Sequence, residues 1–412
     1  MQSWPPRPPG AGDGCKRRRL QCSSAGSVPE QRVPKRILIT GGAGFIGSRV
    51  ALRLAAEGWD VRVVDNFSPQ VHGPAPEQSH VVKELRQAVD LITGDVCDPG
   101  AWSQGLRDRS HVLHLAAETG TAQSGYSAAR YCEVNIVGTG HLIDALVRER
   151  IELASLVVAS SRAIYGEGRG HCPAHGSVDP PARQRGDLLA GRFEPRCPKC
   201  SQTITPRATP EEAAPAPSSV YAVTKLAQEQ LVLGTCNSLG LKGAALRYQN
   251  VYGAGQSMRN PYAGILPLFA GALMSGEPLQ IFEDGFQTRD FVHVVDVVAA
   301  TCRAVAEPPN EPVALNIGSG TSMNLLDLLA EMELRLNRST EVQITGEFRE
   351  GDIRHHCASL ERVGALLGFV PQVMFRQGLV EFLDWSCGEP LIGFGDRYTA
   401  SVAEIRRHRL LQ

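Results

Sequence analysis

The stretch that most constrains this chain is a junction near its N-terminus. A short apolar run, Ile37-Leu38-Ile39, leads through Thr40 into Gly41-Gly42-Ala43-Gly44-Phe45-Ile46-Gly47, and an amphipathic segment continues to Gly58. This reads as a buried strand, a tight turn and a helix. The spacing of Gly41, Gly44 and Gly47 suits three separate needs: a turn with positive φ, a backbone close to a pyrophosphate, and a helix packed tightly on its strand. The first turn of such a helix offers free N–H groups and the positive end of its dipole, so the backbone at Gly44, Phe45, Ile46 and Gly47 is a candidate phosphate cradle.

Gly-rich turns of this kind also occur without a ligand, so the surroundings decide. Asp60 to Val64 reads as a second strand and ends in Asp65, 24 residues after Gly41. A carboxylate there can hydrogen-bond both hydroxyls of a ribose and repel a 2′-phosphate, which favours NAD over NADP. Asn66 follows it. A third strand, Asp90 to Thr93, ends in Gly94-Asp95-Val96, where Asp95 and Val96 can meet an adenine. A fourth, His111 to Leu115, ends in Ala116-Ala117. Four strand ends carrying small or acidic residues point to a nucleotide site.

The rest of the composition narrows the class. A chain of 412 residues with 42% hydrophobic residues suggests two domains and a large core, and a formal charge of −1 gives no pull toward nucleic acid or membrane. No apolar run is long enough to span a bilayer. Eleven cysteines, an odd number scattered through apparent helices and strands, fit a reducing cytoplasm better than a disulfide framework. Residues 1–34 are rich in Pro, Gly, Ser and Arg, lack apolar periodicity and are expected to be a disordered tail.

From 35 to about 160, strands and helices alternate, the pattern of a doubly wound parallel sheet with helices on both faces. Ala128 to Arg150 is expected to be one long helix carrying Asn135. A fifth strand, Ser155 to Ala159, delivers Ser160-Ser161-Arg162-Ala163, and ligands sit at such strand ends in open α/β sheets. The pattern then breaks. Residues 167–217 are rich in Pro, Arg and Gly, and a structureless loop of that length inside a compact domain needs something to hold it. The insert contains Cys172-Pro173-Ala174-His175 and Cys197-Pro198-Lys199-Cys200, with 21 residues between the pairs. Cys172, His175, Cys197 and Cys200 form a Cys3His set with the spacing of a structural zinc site.

The alternation resumes with a helix from Val220 to about Leu239 that places Tyr221 and Lys225 one turn apart on one face. A free Tyr has a pKa near 10, and a neighbouring ammonium is expected to lower it toward a useful base. Ser161 can hydrogen-bond the same substrate oxygen. After Gly253 the elements shorten, consistent with a smaller substrate domain over 254–390. Residues 391–412, with Arg406, Arg407 and Arg409, are expected to be a solvated basic tail.

Together, Thr40 to Gly47, Asp65, Asp95, Asn135, Ser161, Tyr221-x-x-x-Lys225 and Arg289-Asp290 resemble the extended short-chain dehydrogenase/reductases, specifically the NAD-dependent sugar-nucleotide epimerase/dehydratase family. The resemblance covers about residues 35 to 390 apart from the insert. It implies a Rossmann-type sheet over 35–253 with a smaller C-terminal α/β domain. It also implies Tyr221 as acid/base, Lys225 as the holder of the nicotinamide ribose, Ser161 as assistant, and Asn250, Arg289 and Arg349 as groups that hold a nucleotide diphosphate. The family's usual homodimer would form through the helices 128–150 and 220–239. Relatives that dehydrate their substrate carry an Asp-Glu pair after the Ser or Thr. Here Arg162 and Ala163 stand there, so dehydration is disfavoured. The runs Ala117 to Ser124 and Arg247 to Gly253, with Asn260-Pro261-Tyr262, look like the dTDP-L-rhamnose 4-epimerase subgroup. The expected activity is therefore 4-epimerisation of a nucleoside-diphosphate sugar through a 4-keto intermediate. A net oxidoreductase would use the same residues. A non-catalytic NAD-binding scaffold would not need Ser161, Tyr221 and Lys225 together.

Overall fold

The computed structural model describes residues 35–260, 264–391 and 393–412. The expected N-terminal tail and the Pro261-Tyr262 part of the subgroup motif lie outside the described residues.

Ile37, Leu38 and Ile39 form β1 (Arg36–Thr40) and are buried on both sides of it. Side chains alternate along a strand, so Ile37 and Ile39 face one layer with Val50 and Leu54 of the helix Phe45–Ala56 and Val297 of the helix Val294–Ala306. Leu38 faces the other layer, with Trp102, Leu142 and Val232. Burial on both faces is why these strands read as continuous apolar runs. β2 (Asp60–Asp65), β3 (Asp90–Thr93), β4 (His111–His114), β5 (Ser155–Ser161), β6 (Gly243–Tyr248) and β7 (Val313–Ile317) complete the sheet. Its order is β7-β6-β5-β4-β1-β2-β3, with every pairing parallel. The winding reverses between β1 and β4, which opens a crevice at their C-terminal ends. The fold is the Rossmann-like doubly wound sheet with a smaller C-terminal α/β region.

The stretch expected to be one helix from 128 to 150 is helical to Arg148, but a π turn over Glu133–Val137 joins Ala128–Cys132 to Gly138–Arg148. The insert folds as a small sheet in which Gly170–Cys172 pairs antiparallel with both Gly176–Val178 and Thr205–Pro206. Its two ends meet where the Ala216 amide donates to the Ile164 carbonyl at 2.9 Å.

The C-terminal residues correct an expectation. Instead of a solvated tail, Phe394–Arg407 is a helix, and Phe394, Tyr398, Val402 and Ile405 are buried in the core of the smaller region with Phe269, Leu273 and Phe382. Those four residues have helical spacing, a signal masked by the arginines on the opposite face. Gly271 leaves room for the Phe394 ring, since a Cβ at that glycine would lie 2.2 Å from it. Phe394→Ala should therefore destabilise this region by about 3 kcal/mol, the usual cost of emptying a buried aromatic site. The measurement is the urea midpoint, and a solvated tail would leave it unchanged.

Candidate functional site

A cleft of about 390 Å³ opens at the β1/β4 reversal. The glycine turn forms its floor. Gly41 has φ +66°, and a Cβ there would lie 2.7 Å from the Ala116 amide. A Cβ on Gly47 would lie 2.4 Å from the Gly41 carbonyl, so the helix approaches the strand as closely as it does only because Gly47 has no side chain. Gly44 is the N-cap of the helix, with no side-chain cap and no acidic residue in the first turn. The orphan amides and the dipole thus face the cleft uncompensated.

Gly41, Gly44, Phe45, Ile46 and Gly47 line this floor, and Asp65, Asn66, Val96 and Ala116 line one wall. The Asp65 carboxylate accepts from the amides of Ala43 and Phe67, both at 2.9 Å, so it also holds the glycine turn in shape. His72 lies 3.5 Å from it. Asp95 does not line the cleft. It accepts from the Asn66 side chain and the Cys97 amide, each at 2.9 Å, and so orients Asn66.

Ser161, Tyr221 and Lys225 line the same cleft, and Ser161 is hydrogen-bonded to Tyr221. Ser161 caps the short turn after β5, where its hydroxyl accepts from the Ala163 amide at 3.2 Å. Burial raises the Tyr221 pKa, while the Ser161 hydroxyl and the Arg162 guanidinium pull it back without reversing the shift. The expected lowering by Lys225 is absent: the charge that acts on Tyr221 is Arg162, and the Lys225 ammonium donates to Gln228. Lys225 is itself 2% exposed, and burial lowers its pKa to about 7 against the opposing charge of Glu229.

Asn135 lies beneath the cleft rather than on its wall. Its carboxamide oxygen accepts from the Glu118 amide at 2.8 Å, and its nitrogen donates to the Glu118 carbonyl and to Thr224 Oγ1. Thr224 in turn donates to the Tyr221 carbonyl at 2.9 Å. The side chain thus ties the loop after β4 to the turn that carries Tyr221. Next to it runs a buried chain that sequence reading missed. Gln228 bridges Lys225 and His114 Nε2, and His114 Nδ1 pairs with Thr40 Oγ1 at 2.7 Å. Those partners assign the proton to Nδ1, and burial plus the Lys225 charge push the His114 pKa down to about 3. The available signals were Gln228, three residues after Lys225, and the His that closes the strand His111–His114.

Arg289 and Arg349 gather on a different carboxylate, Asp352, at 3.6 and 2.8 Å, and do not line the cleft. Burial would raise the Asp352 pKa, yet Arg349, Arg289, Arg183 and Arg162 hold it well below the usual carboxylate range. Asn250 begins the short strand Asn250–Tyr252, between Gln249 and Val251 of the cleft wall. Asn250 Oδ1, Arg162 Nη1 and Arg349 Nε are buried without a hydrogen-bond partner.

The four metal-site candidates come together in the insert. Their ligand atoms lie within 4.8 Å of one another, with Cys172 Sγ 3.6 Å from both His175 Nδ1 and Cys200 Sγ.

The model of the NAD dependent epimerase/dehydratase family matches residues 37–186 and 197–318, more than half the chain. The chain belongs to this family. It is 38% identical over 357 residues to a dTDP-L-rhamnose 4-epimerase of Burkholderia thailandensis, covering 86% of this chain and 96% of that one. A structure of the UDP-glucose 4-epimerase of Thermotoga maritima with UDP-glucose matches with a TM-score of 0.68 at 27% identity, over 85% of this chain and 98% of the other. MoeE5 in complex with UDP-glucuronic acid and NAD matches with a TM-score of 0.67 at 28% identity, over 85% and 99%. Among the described residues, no helix of this family member is long and apolar enough to cross a membrane.

The buried Lys225 of this epimerase/dehydratase-family chain has a consequence for stability. Its folded pKa of about 7 lies below the 10.5 of a free lysine, so between those values the unfolded state binds more protons and stability rises with pH. Lys225→Met removes the cost of burying the charge. The variant should gain stability over the parent at pH 7 and below, and the gain should shrink toward pH 10. Urea midpoints at pH 6.5 and 9.5 test this, and an equal gain at both would refute it.

Proposed function

We propose that the protein is an NAD-dependent 4-epimerase of a nucleoside-diphosphate sugar, with dTDP-L-rhamnose as the favoured substrate. The observation that carries this reading is that Ser161, Tyr221 and Lys225 line the same cleft as the glycine turn. The likeness to a dTDP-L-rhamnose 4-epimerase supports the choice of sugar nucleotide.

NAD fits the residues present. Uncapped amides at Gly44 suit its pyrophosphate, and Asp65 at the end of β2 suits its adenosine ribose. Lys225 would hold the nicotinamide ribose. When bound, NAD supplies the hydride acceptor and donor. The protein's own residues supply proton transfer and grip. Tyr221 takes the proton of the sugar's C4 hydroxyl and later returns it, and Ser161 hydrogen-bonds the same oxygen. The orphan donors of Arg162 and Arg349, with Arg289 beside them, suit a diphosphate, and the four guanidiniums acting on Asp352 carry more charge than that one carboxylate offsets. Anchored there, the flat 4-keto sugar can turn and present its other face. Arg162 and Ala163 provide no acid for a leaving hydroxyl, so dehydration does not compete.

Tyr221→Phe should retain fold and NAD binding and lose about 10²- to 10⁴-fold in turnover of dTDP-L-rhamnose, the usual contribution of acid–base catalysis. A variant within about twofold of the parent rate would sink the assignment. Net accumulation of NADH would identify an oxidoreductase instead. NAD should bind more tightly than NADP because the Asp65 carboxylate at the end of β2 would repel a 2′-phosphate, and equal affinity in titrations would rule that out. A homodimer through the helices Gly138–Arg148 and Val220–Leu239, which expose Val147 and Val223, is the expected assembly, with sedimentation velocity as its test.

A further inference from the structure

The insert has little core of its own. Its internal apolar cluster is Cys172, Val178, Cys197 and Ile204, two of them cysteines, while its Leu188 and Phe193 pack outward on Phe348 and its Ala213 on Ile164 and Tyr165. The thiols are not disulfide-bonded, since Cys172 Sγ and Cys200 Sγ are 3.6 Å apart, far beyond a bond of about 2 Å. That separation suits something else. Ligands about 2.3 Å from zinc for sulfur and about 2.0 Å for nitrogen define a tetrahedron with edges of about 3.8 and 3.5 Å. The Cys172–His175 and Cys197–His175 edges are each 3.6 Å. Both pairs sit on tight turns, where the His175 amide donates to the Cys172 carbonyl and the Ser201 amide to the Cys197 carbonyl.

The chain just before each ligand pair grips the segment that carries the arginine cluster. Glu167, ahead of Cys172, accepts from the Arg354 amide at 2.7 Å and from Arg183 Nε at 2.7 Å. Arg183 also donates to the Asp352 carbonyl and the Phe193 carbonyl. Glu194, ahead of Cys197, takes both the Arg354 guanidinium, at 2.7 Å, and His355 Nε2, at 2.9 Å.

We propose that Cys172, His175, Cys197 and Cys200 hold one structural zinc ion, and that the insert tied by this metal braces residues 349–356 beside the catalytic groups. All four positions are protein ligands, so the metal has no open site for chemistry. Its binding free energy serves as folding free energy for a segment with too few apolar residues to fold alone. Once folded, the insert fixes Glu167, Arg183 and Glu194; the two glutamates hold Arg354 alongside Glu283 and Asp284, and Arg183 holds the carbonyl of Asp352, around whose carboxylate Arg289 and Arg349 assemble. The task of those arginines rests on the function proposed above, whereas the metal and the brace can be measured without any substrate.

Protein purified without added metal should contain about one zinc per chain, following from the ligand count. Cys197→Ser with Cys200→Ser, or wild type treated with a mercurial thiol reagent, should release it. Zinc loss should open the insert to trypsin and speed amide exchange across 349–356 by about tenfold or more, the worth of one charged hydrogen bond. The β1 and β4 amides should keep their protection, which shows that the sheet is still folded. Glu194→Gln keeps the tetrad and cuts the brace, so it should retain zinc and still speed exchange at 349–356. Metal-free wild type with a trypsin-resistant insert would overturn the metal site, and unchanged exchange at 349–356 after zinc loss would overturn the brace. Wild type that carries zinc but binds no dTDP would count against the functional reading and leave the metal site standing.

Discussion

Ser161 and Tyr221 can act on one oxygen only if the chain between them leaves the sheet and returns at the same place. The hydrogen bond from Ala216 to Ile164 meets that constraint, and Gly166 permits it, since a Cβ there would lie 2.4 Å from the Ala216 carbonyl. Both ends of the insert are fastened further inside. Tyr165 donates to Asn316 and receives from Arg247, Arg247 pairs with Glu229 at 2.6 Å, and Ser160 donates to the same Glu229. At the far end, the Glu211 carboxylate accepts from the Asn316 amide at 2.7 Å. A buried pair such as Arg247–Glu229 adds little net stability, but loss of either partner strands a charge. Its value here is positional: it locks the helix of Tyr221 and Lys225 against β5 and β6. The length of the excursion then matters little, because closure entropy grows only slowly with loop length.

Two opposite electrostatic designs flank the catalytic groups. Under Lys225 the polar groups are neutral and satisfied in series, from Gln228 through His114 to Thr40. Such a network is stable in a low dielectric only if each member has its partner. On the other side, charges are crowded and some donors stand alone, as at Arg162 and Arg349. The first arrangement holds a side chain still without ligand. The second leaves donors unpaired, which suits the anionic substrate proposed above.

The parallel sheet and the glycine turn were legible because each strand is buried on both faces and each glycine answers a steric demand, as Gly41 and Gly47 show. The Cys/His tetrad was legible because ligand spacing is local. Three things were not. The C-terminal helix hid behind its arginines, since composition was read there without periodicity. Lys225 was expected to act on Tyr221 from helical spacing alone, but spacing says nothing about a third group, Gln228, that takes the ammonium. Asp352 lies only three residues after Arg349, but its role as an anchor for Arg289 as well depends on segments far apart in sequence.

The π turn at Glu133–Val137 has a consequence for how this scaffold tolerates change. One surplus residue in a helix advances everything after it by about 100° in angular phase. The phase of Gly138–Arg148 is set by the sheet through Leu142 and Leu146, while that of Ala128–Cys132 is set by Tyr131, whose hydroxyl donates to the Thr119 carbonyl. Asn135 sits where those two phases disagree, and the widened turn lets its carboxamide reach the Glu118 peptide. Deleting a single residue there would give a more regular helix and a mistuned one: the sheet side would stay in step, and the loop that borders the cleft would be carried out of it.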